Sequence, residues 1–161
     1  EGAVMKGWVE SRFGLTPRFH GEPLRDPSAP AYRHYLEMRA AGLYGTHALE
    51  AQLDLVYSYC QYELVRAYPA DTRLTLYRGV NRMGDFEQLG GSASRPRLLL
   101  NNLNSFTAER ERADEFGDFI LTVAVPTPLI VCYCGLLPGA LRGENEYLVL
   151  GGVYDVALST L

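Results

Sequence analysis

The first half of the chain carries apolar residues at helical spacing. Between residues 46 and 66 they step by four, three, four and four positions: Leu49, Leu53, Val56, Cys60 and Leu64. A helix with a period of about 3.6 residues places such positions on one face, so we predict a helix over residues 46–66. A second helix is predicted just before it, over residues 29–41, because Ser28 can cap its start and Gly42 can end it, while Pro30 is tolerated in the first turn.

After Pro69 the pattern changes to short apolar runs separated by glycine and proline, which is typical of strands. We predict strands over residues 74–79, 97–100, 119–125, 129–133, 146–150 and 153–158. Residues 81–97 and 135–143 are predicted to be loops. Three nearby asparagines argue against a long regular element at 101–107. Gly151 and Gly152 predict a hairpin, and residues 108–116 predict a short charged helix ending at Gly117.

The order of these elements defines the expected fold class. Helices come first and strands follow without regular alternation, which indicates an α+β fold. The 161 residues are enough for one domain with a single core. We therefore expect one domain over residues 1–161, with a helical part at 1–68 and a mainly strand part at 69–161.

Charge and cysteine content narrow the classes of function. The chain has 15 Lys and Arg against 19 Asp and Glu, a net charge of −4, which disfavours a protein built to bind nucleic acid. No apolar run is long enough to cross a membrane. The cysteines number three, and their spacing fits neither a disulfide framework nor a zinc site. We expect structural cysteines, no metal, no nucleic-acid or membrane partner, and a cytoplasmic location, where thiols stay reduced.

Arg78 is the first candidate for a functional role. Alternation along the strand puts Leu74, Leu76 and Arg78 on one face, so the guanidinium lies at the edge of the core or inside it. A fixed guanidinium offers paired donors that suit a phosphate. The following Gly79 would let a ligand approach the backbone closely. The alternative is a structural salt bridge made by Arg78.

Ser105, Phe106 and Thr107 form the second candidate. In an extended segment the two hydroxyl groups lie on one side and the ring on the other. This arrangement can present hydroxyl groups to a ligand. The alternative is that Thr107 caps the following helix and Phe106 belongs to the core.

The third candidate is the pair Glu144 and Glu146, which directly precedes an apolar strand. If this stretch is extended, residues two apart share a face and both carboxylates point into one cavity. Like charges held in a cleft repel each other and cost stability, which favours a functional origin. The alternative is that these are ordinary loop acids at the start of a strand.

Taken in order, Arg78, Ser105-x-Thr107 and Glu144-x-Glu146 resemble the arginine–serine–glutamate class of mono-ADP-ribosyltransferases. Within that class the chain resembles the dinitrogenase reductase ADP-ribosyltransferase family, whose members modify an arginine of the nitrogenase iron protein and are longer than this chain. The resemblance is carried by residues 8–14, 49–55, 59–64, 76–79, 101–107, 112–118 and 146–152.

The resemblance implies a mixed or antiparallel two-sheet ADP-ribosyltransferase core that uses NAD as its substrate. It implies that Arg78 holds the NAD diphosphate and the adjoining ribose. The backbone of Gly79 would bond to the nicotinamide amide, and Phe116 would stack on the nicotinamide ring. Thr107 completes the serine motif and is assigned with these residues to NAD binding.

The resemblance also implies the catalytic residues and the partners. Glu146 would hold the 2′-hydroxyl of the nicotinamide ribose, and Ser105 would steady that carboxylate. Glu144 marks arginine as the acceptor. The implied partners are the nitrogenase iron protein as target and a PII-type nitrogen-signalling protein as regulator.

Two acids in one site suit this chemistry. As nicotinamide leaves, positive charge develops on the ribose, and a fixed carboxylate stabilises it. The acceptor guanidinium has a pKa above about 12 and is a poor nucleophile, so a second carboxylate can orient it and help remove its proton. Two other functions remain open: a toxin-like or defence transferase or NAD glycohydrolase with a different target, and a non-catalytic NAD-binding module.

Overall fold

The computed structural model describes residues 2–19, 22–41, 46–137 and 145–160. The helices are α1 (Gly2–Phe13), α2 (Pro30–Ala41), α3 (Thr46–Ala67) and α4 (Arg110–Asp114). The strands are β1 (Arg18–Phe19), β2 (Glu22–Pro23), β3 (Arg73–Val80), β4 (Glu87–Gly91), β5 (Pro96–Thr107), β6 (Phe119–Pro126), β7 (Ile130–Tyr133), β8 (Glu146–Asp155) and β9 (Ala157–Thr160). The fold is α+β, as predicted.

The predicted helices correspond to α2 and α3. On α3, Cys60 and Leu64 are fully buried against the strands, whereas Leu49, the first residue of the predicted apolar face, is 39% exposed. The sequence pattern missed α1, which buries Trp8 and Val9 in the same core. No described helix is both long and apolar enough to span a membrane.

Seven of the described strands form one hydrogen-bonded sheet in the order β7-β8-β5-β3-β6-β9, with β4 also paired to β5. Its two halves, β3-β6-β9 and β4-β5-β8-β7, are joined in the described part of the chain by one pair, Tyr77 opposite Thr107. All the described pairings are antiparallel, so a mixed sheet is not observed. The halves therefore separate beyond this pair and leave room beside it.

The prediction that three asparagines interrupt regular structure was wrong, because β5 runs through all of them. The register between β5 and β8 shifts between Leu100 and Leu103, which marks a bulge. The amide of Asn102 donates to the backbone carbonyls of Lys6 and Leu15 at 2.9 and 3.3 Å. Hydrogen bonds of this kind hold this part of β5 in place of hydrophobic contacts. The strand therefore lacks the apolar pattern by which buried strands are predicted.

The predicted hairpin at Gly151 and Gly152 was also wrong, because β8 continues through both residues. A Cβ on Gly151 would lie 1.7 Å from the carbonyl oxygen of Asn101, so glycine is needed where β8 crosses the bulge of β5. Gly152 has a φ of 124°, which other residues rarely adopt. The chain leaves β8 at Asp155, three residues beyond the glycine pair, and β9 then pairs with β6.

The predicted loop at 81–97 contains β4, which sequence patterning missed because all five of its residues are exposed. Backbone pairing with β5 holds this strand, and such pairing leaves no hydrophobic signature. Cys60 and Cys132 are buried, and burial raises the pKa of the Cys60 thiol to about 12. That thiol is therefore protonated and inert at neutral pH.

Candidate active site

A cavity of about 370 Å³ lies where the two halves of the sheet separate. It is lined by residues of β3, β5, α4, the turn after α4 and the start of β8: Tyr77, Arg78, Gly79, Ser105, Phe106, Thr107, Ala113, Phe116 and Glu146. The described residues of all three sequence motifs thus meet at one place, although they are far apart along the chain.

Arg78 is held at the wall of this cavity with little compensation for its charge. Its Nη1 donates to the backbone carbonyl of Ser105 at 2.7 Å, while its Nε is buried without a hydrogen-bond partner. Burial lowers the pKa of Arg78, and the negative charge of Glu146 partly opposes this effect. Among the described carboxylates none approaches the guanidinium closely enough for an ion pair, so the structural salt bridge is not observed there.

Gly79 is required by the packing of the fold. A Cβ at this position would lie 2.0 Å from the carbonyl oxygen of Ala113, on α4. A Cβ on Gly117 would lie 2.3 Å from the carbonyl carbon of Val80. The space that a side chain at Gly79 would occupy is therefore filled by α4, while Gly79 itself still lines the cavity.

The residues of the serine motif lie partly in the core and partly at the cavity. Phe106 is buried, and the Thr107 hydroxyl accepts a hydrogen bond from the backbone N–H of Glu109 at 3.2 Å, just before α4 begins. Phe106 thus belongs to the core, as the structural alternative requires. Thr107 does not cap α4, because the N-cap residue is Glu109 and no side chain makes a capping hydrogen bond there. Ser105 is exposed at the cavity, and its backbone carbonyl holds Arg78.

Glu146 begins β8 directly opposite Thr107 and lines the cavity. Glu144 lies outside the described residues. Asn145, between them, has a φ of 42° and is not part of the strand. The backbone is not extended at Asn145, so the condition under which strand alternation would place the two carboxylates on one face is not met.

Phe116 lies just after α4 and is 61% exposed, although it contributes to the cavity wall. A large exposed ring beside a polar cavity can stack on a planar ligand. The adjacent Ala113 carbonyl accepts a hydrogen bond from the Phe116 backbone, which fixes where the ring leaves the helix.

Two features near the cavity were missed by sequence analysis. Lys6 is partly buried, and its pKa is lowered by burial and by the charge of Arg78, which places a second cation near the guanidinium. The only available signal was that Lys6 is the sole lysine in the sequence. The other missed feature is a hydrogen bond from Asn145 Nδ2 to Glu109 Oε1, which no motif suggests. Within the described ranges no cluster of His, Cys, Asp and Glu could hold a metal ion.

Comparisons with known proteins agree with the motifs. The family model for dinitrogenase reductase ADP-ribosyltransferase (DRAT) matches residues 1–158. An NAD(+)--dinitrogen-reductase ADP-D-ribosyltransferase from Rhodospirillum rubrum is 44% identical over 164 residues, an alignment that covers 100% of this chain. The chain spans 59% of the length of that relative. No solved structure matches the chain.

Proposed function

Because the chain belongs to the dinitrogenase reductase ADP-ribosyltransferase family, we propose that it transfers ADP-ribose from NAD to an arginine of a target protein. The proposed target is dinitrogenase reductase, the nitrogenase iron protein, on which the relative from Rhodospirillum rubrum acts by its name. The observation that carries the proposal is the single cavity lined by Arg78, Ser105 and Glu146.

Arg78 is proposed to bind the NAD diphosphate and adjoining ribose. Its guanidinium is desolvated, lacks an ion pair among the described residues and has a buried Nε without an acceptor. A diphosphate would supply acceptors to a donor group whose geometry suits paired contacts. The carbonyl of Ser105 fixes the orientation of the guanidinium before NAD arrives.

Nicotinamide is proposed to lie against the wall formed by β3 and α4. The Gly79 backbone would bond to its amide, and Phe116 would stack on its ring; both residues line the cavity. Thr107 would complete this wall, since its hydroxyl holds the chain where α4 begins. We also propose an ADP-ribosyltransferase core in which the two halves of the sheet act as two sheets around this cleft, which their single connecting pair supports.

Glu146 is proposed to stabilise the reacting ribose. The bond between C1′ and the nicotinamide nitrogen breaks, nicotinamide leaves with the bonding electrons, and positive charge develops on the ribose. A carboxylate that holds the 2′-hydroxyl stabilises that charge, and Ser105 would steady the carboxylate. A guanidinium nitrogen of the target then bonds to C1′ and loses a proton.

Glu144 is proposed to orient the acceptor arginine and to help remove its proton. This assignment depends on motif spacing, because Glu144 lies outside the described residues. The proposed location is the cytoplasm, which suits an odd number of cysteines whose spacing fits no disulfide framework. A PII-type nitrogen-signalling protein is the proposed regulator.

The test is to incubate the chain with NAD and purified nitrogenase iron protein. We expect nicotinamide release together with one ADP-ribose adduct on an arginine, mapped by mass spectrometry. Nicotinamide release without an adduct would indicate an NAD glycohydrolase or a different target, and a proteome-wide adduct search would separate these two. NAD binding without nicotinamide release would indicate a binding module and contradict the proposal.

Glu144→Gln tests the division of labour between the two acids. We expect transfer to be lost while slow NAD hydrolysis remains, because only the acceptor loses its carboxylate. The measurement compares adduct formation with nicotinamide release in the same reaction. Equal loss of both activities would contradict a role confined to the acceptor.

A further inference from the structure

A closed set of contacts joins the serine motif to the glutamate motif. The Thr107 hydroxyl accepts from the Glu109 backbone, and Glu109 Oε1 accepts from Asn145 Nδ2 at 2.5 Å. Asn145 is followed by Glu146, which lies opposite Thr107 in the sheet. We infer that Asn145 and Glu109 are a positioning pair that fixes Glu146 in the cavity, an inference that rests on the proposed function.

Asparagine meets both requirements at position 145. Its φ of 42° lies in the left-handed region, where asparagine is among the residues most readily accommodated. Its side-chain amide can donate to a carboxylate, as it does to Glu109. Aspartate would tolerate the backbone but would face Glu109 with a like charge, and glycine would tolerate the backbone without donating.

The hydrogen bond between Asn145 and Glu109 connects the start of β8, where Glu146 lies, to the opposite wall of the cavity. Glu109 is the N-cap residue of α4, and this helix carries Ala113 against Gly79 before the chain reaches Phe116. A hydrogen bond from Asn145 to Glu109 therefore holds the start of β8 relative to the helix that forms the wall. Without it, Asn145 no longer anchors the backbone directly before Glu146, the first residue of β8.

We expect substitutions in the Asn145–Glu109 pair to lower turnover more than they weaken NAD binding. Arg78 is proposed to hold most of the dinucleotide, and it makes no contact with Asn145 or Glu109 through a hydrogen bond or ion pair. Glu146 must be aimed at the ribose as charge develops, and small displacements of such a group reduce the rate. The pair should therefore act on kcat and leave the KM for NAD nearly unchanged.

The experiment measures nicotinamide release for Asn145→Gly, Asn145→Asp, Glu109→Gln and the double variant Asn145→Asp with Glu109→Gln. Asn145→Gly keeps the backbone and removes the bond, so kcat should fall about fivefold; Asn145→Asp adds repulsion and should cost about tenfold or more. Glu109→Gln retains an acceptor and should change little. In the double variant the glutamine amide can donate to the new carboxylate, so kcat should recover most of the loss.

Glu111→Gln is the matched control, since it removes the same charge from the first turn of α4 at an exposed position. It should leave kcat unchanged. Asn145→Gly with the kcat of the unsubstituted protein, or a double variant no faster than Asn145→Asp alone, would overturn the inference. A fall confined to NAD affinity would overturn it as well.

A separate readout distinguishes failure of this inference from failure of the proposed function. If the unsubstituted protein releases no nicotinamide, the proposed function fails. The pair is then judged by the unfolding free energies of Asn145→Gly, Glu109→Ala and their combination. Non-additive effects support a direct interaction, whereas additive effects overturn it.

Discussion

Buried polar groups lie at two places beside β5, its bulge (the bulge end) and the cavity where it meets β3 and β8 (the cavity end), and the fold treats them differently. At the bulge, Asn102 and Asn104 are 2% and 5% exposed, and each amide donates to backbone carbonyls. Asn101 accepts from the Arg18 backbone at 2.8 Å. The bonds of Asn101 and Asn102 connect β5 to α1 and to the segment after it, so the polar groups at the bulge end serve the architecture.

At the cavity end, the polar side chain of Arg78 keeps hydrogen-bonding capacity that the fold does not use. Arg78 is desolvated, has one hydrogen bond from its Nη1 and keeps a buried Nε without an acceptor. The bulge also leaves one acceptor over, Asn102 Oδ1, but that group is neutral. An incompletely paired charge costs far more to bury than a neutral amide oxygen. The fold therefore accepts the higher cost of burying an incompletely paired charge at the site where a charged ligand is proposed to bind.

The largest expected effect is at the cavity end, for Glu146→Gln. The amide is nearly the same size but cannot stabilise positive charge on the ribose, so nicotinamide release should fall about 100- to 1000-fold. Stopped-time assays of nicotinamide release measure this, and a thermal unfolding curve checks that the fold is intact. Turnover equal to that of the unsubstituted protein would remove Glu146 from the mechanism.

Next comes Gly151→Ala, at the bulge end. The new Cβ would overlap the carbonyl oxygen of Asn101, so the backbones of β5 and β8 must move apart and the unfolding free energy should fall by about 3 kcal/mol. Denaturant unfolding measures the change. Gly84→Ala is the control, because a Cβ there has open space and should change little. Equal stability of the two variants would mean that the bulge is not tightly packed.

The smallest effects are expected for one substitution at each end, Arg78→Met at the cavity end and Asn104→Ala at the bulge end. Arg78→Met should weaken NAD binding about tenfold or more without lowering the unfolding free energy, because it removes a poorly compensated charge. Asn104→Ala should lower the unfolding free energy by about 1 kcal/mol, because it loses the bond to the Asn101 carbonyl, and should leave NAD binding unchanged. Calorimetric NAD titration and denaturant unfolding are applied to both variants. The opposite pattern would refute the functional contrast between the ends.

The accuracy of the sequence predictions follows the same division. The helix α3 and strands such as β3 and β6 were predictable because their apolar residues recur with a regular period. The strand β4 and the passage of β5 and β8 through Asn101, Asn102 and the glycine pair were not. Backbone pairing and side-chain amides hold those segments, and neither leaves a periodic pattern.

The candidate site was predictable as a set of residues but not as a geometry. The order of Arg78, Ser105 and Glu146 along the chain was enough to indicate one family and one chemistry. Strand alternation failed at Asn145, where a left-handed residue turns the backbone before β8 begins. The contact between Asn145 and Glu109 spans 36 positions along the chain, and no local pattern predicts it.

The sequence by itself determined the α+β class, the main helix and the identity of the motifs, because these depend on local periodicity and residue chemistry. Only the tertiary structure decided that the described motif residues share one cavity, that Gly79 is needed for the approach of α4, and that Arg78 lacks full compensation. The physical reason is that burial, backbone clearance and hydrogen-bond pairing depend on segments distant in the chain, which meet only when the two halves of the sheet pack together.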